Sequence, residues 1–211
     1  MSGVPRTLLR PVALLVAALL LAACGGSGDA SAPFSGQRLD PPFEVEDRPL
    51  TDTTGAPYSL AKDTDKPLTL VFFGYTHCPD ICGIVMGNLA AAMTRLSAAD
   101  RARVDVVYVT TDPARDTEQV LARYLDRLDP DFIGLTGGLG DIVDLARPLG
   151  VGTTQGKRLP SGGYDVTHGT TVTAIDARDE APVYWPQETS AAQYAGDLHT
   201  LLTEKNRAET R

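Results

Sequence analysis

The stretch PLTLVFFGYTHCPDICG, residues 67–83, decides how the rest of the chain is interpreted. Its apolar run from Leu68 to Phe73 is too short for a helix and rich in β-formers, which predicts a strand buried on both faces. Cys78 and Cys82 follow that strand directly. The pair should therefore lie at the carboxyl end of a strand, where open α/β sheets place their functional sites.

The sequence after the cysteines alternates between helical and strand patterns. Apolar residues from Ile81 to Leu96 recur at helical spacing and predict an amphipathic helix over 82–98. A second helix is predicted over 116–128, with Thr117 as its N-cap. The remaining predictions are strands at 104–112, 132–136, 170–176 and 181–185, a helix at 142–149, a closing helix, a short hairpin at 43–60 and an extended hairpin at 156–166.

This order of elements predicts an α/β layer fold. A cysteine pair at a strand-to-helix turn, followed by further strands and a closing helix, is the thioredoxin-like arrangement. We therefore predict a thioredoxin-like fold with an N-terminal β-hairpin and an inserted hairpin before the strand that follows His168.

The first residues predict an exported leader. Two arginines precede an apolar run over 12–23, which is shorter than the ~20 residues needed to span a bilayer. The run ends in Leu-Ala-Ala-Cys, which resembles the bacterial lipobox and predicts a signal peptide over 1–23 and a lipidated Cys24. A flexible tether is predicted over 24–42. The alternative is an ordinary export signal followed by a chance cysteine.

The rest of the chain predicts one domain over 43–204 and a frayed tail over 205–211. The 211 residues are 43% hydrophobic and 22% charged, which is typical of a globular protein. A formal net charge of −8 makes the chain a poor candidate for binding nucleic acid or an anionic membrane surface. Lipid would have to hold it on the outer face of the bacterial cytoplasmic membrane.

Cys78 and Cys82 are the only pair left if Cys24 carries lipid, because the chain has three cysteines. Unpaired N–H groups at the start of a helix favour their thiolates. Thiolates can attack a disulfide or bind a soft metal, and three intervening residues permit both a disulfide and two sulfurs on one ion. Zinc usually requires four ligands, whereas copper(I) accepts two thiolates and one imidazole.

The chain has three histidines that could supply the imidazole. His168 precedes a predicted strand, in the position where a thioredoxin-like loop faces the cysteines and usually carries a cis-proline. A loop histidine that caps a strand is the alternative. His77 is predicted to be an exposed loop residue, although it could tune Cys78 or bind metal, and His199 is predicted to lie on the surface.

Three segments of the chain resemble the Sco/SenC family of copper chaperones for cytochrome c oxidase. Their order and separations agree with the family over about residues 43–204. The resemblance implies that Cys78, Cys82 and His168 bind copper. Gly83 departs from it, because the family usually has a proline there, which would stiffen the first helical turn. The segments are VFFGYTHCPDICG (71–83), TDPARDT (111–117) and DVTHGTTVTAID (165–176).

The spacing in TDPARDT leaves two interpretations open. Asp112, Arg115 and Asp116 could fix a turn through contacts between Asp116 and Arg115, or they could form a surface near the metal that a partner recognises. In the cysteine segment, Asp80 is predicted to be the N-cap of the following helix.

The sequence thus predicts a metallochaperone that delivers copper(I) or copper(II) to the dinuclear copper site of cytochrome c oxidase. Its partners would be the copper-bearing oxidase subunit and other copper chaperones or thiol reductants on the periplasmic side. One alternative is a thiol–disulfide reductase that uses Cys78 and Cys82 on the oxidase's cysteines, with His168 dispensable. The other is a redox or copper sensor. A peroxidase is disfavoured, because the chain lacks the Pro-x-x-x-Thr-x-x-Cys arrangement.

Overall fold

The computed structural model of the protein describes residues 33–64, 66–158 and 164–209, with the side chains of 153–168 and 207–209 outside that description. The predicted signal peptide, the lipidated Cys24 and the first part of the predicted tether lie outside the described residues. None of the helices in the described part of the chain has the length and apolar character needed to cross a bilayer.

Eight strands form one mixed sheet, and two more form a separate hairpin. The order in the large sheet is β1-β10-β9-β4-β5-β6-β2-β3, with β4, β5 and β6 parallel and the other neighbours antiparallel. The hairpin is β7-β8. The strands are β1 (Gln37–Glu44), β2 (Leu50–Asp52), β3 (Pro57–Tyr58), β4 (Leu68–Gly74), β5 (Val104–Thr110), β6 (Ile133–Thr136), β7 (Thr153–Arg158), β8 (Tyr164–His168), β9 (Val172–Asp176) and β10 (Glu180–Trp185).

Five helices complete the described chain. The long helix α1 follows the cysteine segment, as predicted, and α5 closes the fold. Thr117 caps α3 as predicted, because its hydroxyl accepts a hydrogen bond from the Val120 N–H at 3.4 Å. The helices are α1 (Cys82–Arg95), α2 (Ala98–Arg101), α3 (Glu118–Leu125), α4 (Leu139–Ala146) and α5 (Ala191–Glu209).

The core lies on both faces of the central strands. Every residue of β4 is buried, as the unbroken apolar run predicts. Because side chains alternate along a strand, Leu70 and Phe72 pack on the side of α1 and α5, whereas Val71 and Phe73 pack on the side of α4. The cysteine segment therefore extends from a fully buried strand in the middle of the sheet.

The N-terminal prediction needs correction in two places. Residues 37–42, which were assigned to the tether, belong to β1, where Gln37 pairs with Tyr184 of β10. Phe43 and Glu44 also pair with β10, so the predicted hairpin of 43–60 is reduced to β2 and β3. The prediction failed because β1 is largely polar and contains two prolines, a composition that is typical of a linker. An edge strand also tolerates proline, so the composition does not distinguish the two.

The other boundaries differ less from the prediction. The inserted hairpin exists as β7-β8, although its first strand begins three residues earlier than predicted. The helix predicted over 142–149 begins at Leu139 and ends at Ala146. Part of the predicted frayed tail, up to Glu209, continues α5.

Candidate metal and redox site

The cysteine segment is fixed where β4 ends. The carbonyl oxygen of Gly74 accepts hydrogen bonds from the N–H of Thr111 at 2.7 Å and from its hydroxyl at 3.2 Å. A turn follows, closed by the Cys78 N–H donating to the Tyr75 carbonyl at 3.1 Å. Helix α1 then begins at Cys82. Cys78 thus lies just before α1 and Cys82 lies in its first turn, as predicted.

The two sulfurs lie in different environments. Cys78 is half-buried, whereas Cys82 is 1% exposed, and no disulfide joins them in this structure. Partial burial opposes ionisation of Cys78. Hydrogen bonds to its sulfur from the Cys82 N–H and thiol, and from the N–H groups of Asp80 and Ile81, outweigh that effect and lower the pKa of Cys78. Its thiolate is stabilised by the start of α1.

Cys82 behaves in the opposite way. Burial, followed by its hydrogen bond with the Cys78 sulfur, raises the pKa of Cys82 to about 12. Cys78 is therefore the more easily ionised and more accessible sulfur, which can attack or bind first, and Cys82 is the buried partner that holds its proton more tightly. Binding an ion at both sulfurs would release the Cys82 proton.

Two tyrosines, Tyr75 and Tyr108, lie near the cysteine sulfurs, and no sequence motif predicts them there. Burial, followed by the charge of Cys78, raises the pKa of Tyr75 to about 12. The Tyr108 hydroxyl is buried and has no hydrogen-bond partner in the described part of the chain. A Cβ atom built on Gly74 would lie 2.9 Å from that hydroxyl and 3.1 Å from the Cys82 sulfur. Glycine at the end of β4 is the sequence signal for this close packing.

The TDPARDT segment holds the cysteine segment from the neighbouring strand. The predicted contact between Asp116 and Arg115 is wrong, because Arg115 pairs with the buried carboxylate of Asp112 instead. Arg115 also lies over the Tyr75 ring, 5.8 Å from its centroid. Asp116 accepts hydrogen bonds from Thr76 and Thr110. The segment therefore fixes a turn, in agreement with the first of the two interpretations. The contacts that fix it are Arg115 with Asp112, and Asp116 with Thr76 and Thr110, rather than Asp116 with Arg115.

Several smaller predictions can be compared with the structure. Asp80 is exposed, and α1 has Ile81 at its N-cap with no side-chain hydrogen bond, so the predicted Asp80 cap is wrong. His77 is 57% exposed on its side chain and His199 is exposed beside Asp100, as predicted. A Cβ atom on Gly83 would meet no atom within 4 Å, so the missing proline leaves open space.

The backbone brings the His168 segment to the cysteine end of the sheet. His168 is the last residue of β8, opposite Thr153, rather than part of a free loop. The chain then enters β9 at Val172, which pairs with Phe72, two residues before the end of β4. Antiparallel pairing thus brings the start of β9 to the end of β4, as the thioredoxin-like prediction requires. The side chain of His168 lies outside the described part of the structure.

The described side chains supply two soft ligands and no third. Among them, no three His, Cys, Asp or Glu groups lie close enough together to hold a metal ion. Cys78 and Cys82 form a hydrogen-bonded pair of thiols, which fits a soft ion of low coordination number. A third ligand would have to come from a side chain such as that of His168.

Comparisons with known proteins agree with this fold and site. The family model described as SCO1/SenC matches residues 35–203, a range that includes β1. Over 102 residues the chain is 39% identical to the mitochondrial protein SCO1 homolog 1 of Arabidopsis thaliana. The aligned region covers 44% of this chain and 30% of that protein. The chain spans less than half the length of the first curated relatives that it matches.

Solved structures extend the similarity to the whole domain. The solution structure of apo Sco1 from Thermus thermophilus superimposes with a TM-score of 0.71 at 31% identity, covering 82% of this chain and 99% of that one. The crystal structure of Arabidopsis thaliana ScoI with copper bound gives a TM-score of 0.69 at 25% identity, covering 76% and 98%. These neighbours confirm the thioredoxin-like α/β fold, and the chain belongs to the SCO1/SenC family.

Proposed function

We propose that this protein is a copper chaperone that binds copper as cargo through Cys78, Cys82 and His168. It would deliver the ion to the dinuclear copper site of cytochrome c oxidase during assembly of that enzyme. The observation that carries the proposal is the pair of unlike sulfurs at the end of β4, next to the strand that follows His168.

Family membership supports both parts of the proposal. The Arabidopsis ScoI structure contains copper, and so does that of Bradyrhizobium japonicum ScoI. The neighbour BsSco is described as a member of the Sco family of cytochrome c oxidase assembly proteins. Copper binding and oxidase assembly are thus the functions that the family offers this chain, whereas its ligands and its role in transfer are our proposal.

The unlike sulfurs suit the transfer of a soft ion. Cys78 can bind first, because its pKa is lowered and its sulfur is half-buried. Cys82 joins after losing its proton, which ties copper affinity to pH. Exchange of ligands with the cysteines of a recipient would begin at Cys78, the more accessible sulfur. The imidazole of His168 would complete a three-ligand site of the kind copper accepts.

The proposal includes a lipid anchor at Cys24, which would hold the protein on the outer face of the bacterial cytoplasmic membrane. The lipobox-like run Leu-Ala-Ala-Cys supports it. Two or more acyl chains hold a protein firmly, whereas one chain is marginal. The Cys24→Ala protein should therefore be released from the membrane fraction by a carbonate wash, with its domain still folded. A variant that remains in the membranes would contradict the anchor.

The second candidate is a thiol–disulfide reductase, favoured by the same difference between the two sulfurs. The Cys78 thiolate would attack a disulfide in the partner and release one partner thiol. Cys82 would then attack the Cys78 sulfur, release the second partner thiol and leave a Cys78–Cys82 disulfide. A thiol reductant on the periplasmic side would have to reduce that disulfide again. His168 takes no part in these steps.

Metal binding by His168→Ala separates the two candidates. We expect the variant to fold, to form the Cys78–Cys82 disulfide, and to lose most copper(II) binding together with the thiolate-to-copper absorption. Its copper(I) affinity, measured by competition with a chelator, should fall at least about tenfold, because one of three ligands is gone. His199→Ala is the matched control and should bind like the wild type. Equal binding by His168→Ala would contradict the chaperone ligand set.

A further inference from the structure

Asp116 is a buried carboxylate whose partners lie on the cysteine segment and on β5. Its side chain is 0% exposed. Oδ2 accepts hydrogen bonds from the Thr76 N–H at 2.8 Å and from the Thr110 hydroxyl at 2.7 Å. Oδ1 accepts from the Thr76 hydroxyl at 2.5 Å. Two of these three bonds therefore hold a residue that lies two positions before Cys78.

The backbone of Asp116 is itself anchored. Its N–H donates to the Asp112 carbonyl at 2.9 Å, and its carbonyl accepts from the Thr136 hydroxyl on β6 at 3.1 Å. Asp116 is thus tied to β5 by the bond from Thr110 to its carboxylate and to β6 by the bond from Thr136 to its backbone carbonyl. Because β4, β5 and β6 are adjacent parallel strands, the hold on Thr76 originates in the central strands of the sheet.

His77 takes part in the same network. Its Nδ1 lies 2.9 Å from the Thr76 hydroxyl oxygen and 3.7 Å from Oδ1 of Asp116. The Thr76 hydroxyl has one hydrogen, which it gives to Asp116, so Nδ1 of His77 must be the donor to Thr76.

We propose that Asp116 is the positioning residue of the cysteine site, because it fixes Thr76 and through it sets where Cys78 stands relative to Cys82. The inference rests on the proposed use of these two cysteines as the site. Arg115 provides a second hold, because it pairs with Asp112 and lies over the Tyr75 ring. The unit formed by Thr110, Asp112, Arg115 and Asp116 is called the clamp below.

A carboxylate suits this task for a physical reason. Hydrogen bonds to an ionised acceptor are about twice as strong as those between neutral groups, and the two oxygens accept from three donors in fixed directions. Burial makes the loss of any of these bonds costly, because a buried charge is unfavourable unless its hydrogen bonds are made. Any displacement of Thr76 would break two of the three bonds at once.

The clamp should favour the reduced pair. In the reduced structure the Cys78 sulfur accepts N–H hydrogen bonds from the first turn of α1. Because Thr76 is fixed, Cys78 stays in that position. The clamp therefore stabilises the reduced pair relative to any state, including the disulfide, in which the cysteine segment has moved. Loosening it should shift the equilibrium toward the disulfide and weaken copper(I) binding, because coordination needs both thiolates at one point.

The test uses two variants in the network and one matched control. Asp116→Asn keeps the shape but has one acceptor oxygen instead of two. Thr76→Val removes the hydroxyl, and with it the hydrogen bonds to Asp116 and His77, without adding bulk. The control is Asp197→Asn, because Asp197 is also buried and accepts several hydrogen bonds, yet its partners are Ser35, Gly36 and Trp185. Thr76→Ser should restore the wild-type behaviour.

The readout is the metal-free exchange in which the protein dithiol and glutathione disulfide give the protein disulfide and two glutathiones. Asp116→Asn should raise this equilibrium constant about tenfold, which lowers the potential by about 30 mV for a two-electron couple. Thr76→Val should shift it in the same direction by less. Asp197→Asn should unfold more easily and leave the constant at the wild-type value.

Two results would overturn the inference: an unchanged constant in both Asp116→Asn and Thr76→Val, or an equal shift in Asp197→Asn. If Asp116→Asn fails to fold, Thr76→Val and Thr76→Ser decide alone. Because no copper is present, a wild-type protein that binds no copper would contradict the proposed function without changing this result.

Discussion

Two buried carboxylates hold distant segments of this protein together, and they do so with the same kinds of bonds. Asp116 holds the cysteine segment through Thr76, whereas Asp197 on α5 holds the N-terminal segment. Oδ2 of Asp197 accepts from the Ser35 N–H at 3.0 Å, the Gly36 N–H at 2.9 Å and the Trp185 indole N–H at 2.8 Å. Both side chains are almost completely buried.

The difference lies in what each carboxylate fixes. The segment held by Asp197 leads into the edge strand β1, and its neighbours are a tryptophan and backbone N–H groups. The segment held by Asp116 leads to a sulfur whose pKa is lowered by nearby N–H groups. By this account the same local chemistry serves stability at one place and reactivity at the other. Thermal stability alone cannot tell the two roles apart, so both readouts are needed.

The largest expected effect is on the Asp197 side. Asp197→Ala leaves four donors without this acceptor: the N–H and hydroxyl of half-buried Ser35 and the buried N–H groups of Gly36 and Trp185. It should lower the free energy of unfolding by roughly 3 kcal/mol or more. Urea unfolding measures this loss. The folded fraction should keep the thiol equilibrium and copper affinity of the wild type. A stability equal to wild type would show that Asp197 does not hold the N-terminal segment.

Gly36 lies in the segment that Asp197 holds, and Gly74 lies beside the cysteine site, so substitutions at these two glycines compare the same two regions with smaller expected effects. A Cβ atom on Gly36 would lie 2.8 Å from the Trp185 indole nitrogen, and one on Gly74 would lie 2.9 Å from the Tyr108 hydroxyl. Gly36→Ala and Gly74→Ala should each destabilise by about 1–3 kcal/mol. Only Gly74→Ala should also change thiol reactivity, because its Cβ would lie 3.1 Å from the Cys82 sulfur. Similar thiol reactivity in both variants would argue against this distinction.

The two sulfurs should differ in rate of alkylation. At neutral pH the reduced protein should be modified at Cys78 at least about tenfold faster than at Cys82, because only the thiolate reacts. The lowered pKa of Cys78 keeps its thiolate present to a lower pH than in an ordinary thiol, and its rate should fall as pH drops through that pKa. Cys82 should react appreciably only as the pH approaches about 12. Limited alkylation followed by peptide mass spectrometry measures both, and equal rates would contradict the assignment.

The smallest effect is expected at Gly83, which contacts neither carboxylate. A Cβ atom on Gly83 has room, and alanine loses less conformational entropy than glycine when it becomes helical. Gly83→Ala should therefore raise the free energy of unfolding by about 0.5–1 kcal/mol. The thiol equilibrium should stay within the range of the wild type. Thermal unfolding checks the first expectation, and a loss of stability would indicate a need for glycine that the structure does not explain.

Local patterns in the sequence were sufficient for the core of the fold. The apolar run of β4, the helical spacing after Cys82 and the cap at Thr117 each depend on neighbours within one or two turns. Those signals predicted the strand-to-helix turn that carries the cysteines, and the alternation of elements predicted the sheet. The place of β1 could not be inferred in this way, because a polar strand with two prolines has the composition of a linker.

The network around the site could not be inferred for a different reason. Asp116 and Thr76 are 40 residues apart, and nothing in either local sequence indicates that the carboxylate faces that threonine. The sequence offered Arg115, the nearest cation, as its partner, but the register of β4 against β5 decides the contact instead. Tyr108 is another such case, because its pattern indicates only a buried strand residue.

Copper delivery through Cys78, Cys82 and His168 can be tested most directly by oxidase activity in cells whose only copy of this protein carries His168→Ala. If the protein delivers copper through Cys78, Cys82 and His168, activity under copper limitation should fall nearly as far as with Cys78→Ser, and added copper should partly restore it. His199→Ala should support wild-type activity in the same strain. Wild-type oxidase activity with His168→Ala under copper limitation would contradict the chaperone and favour the reductase.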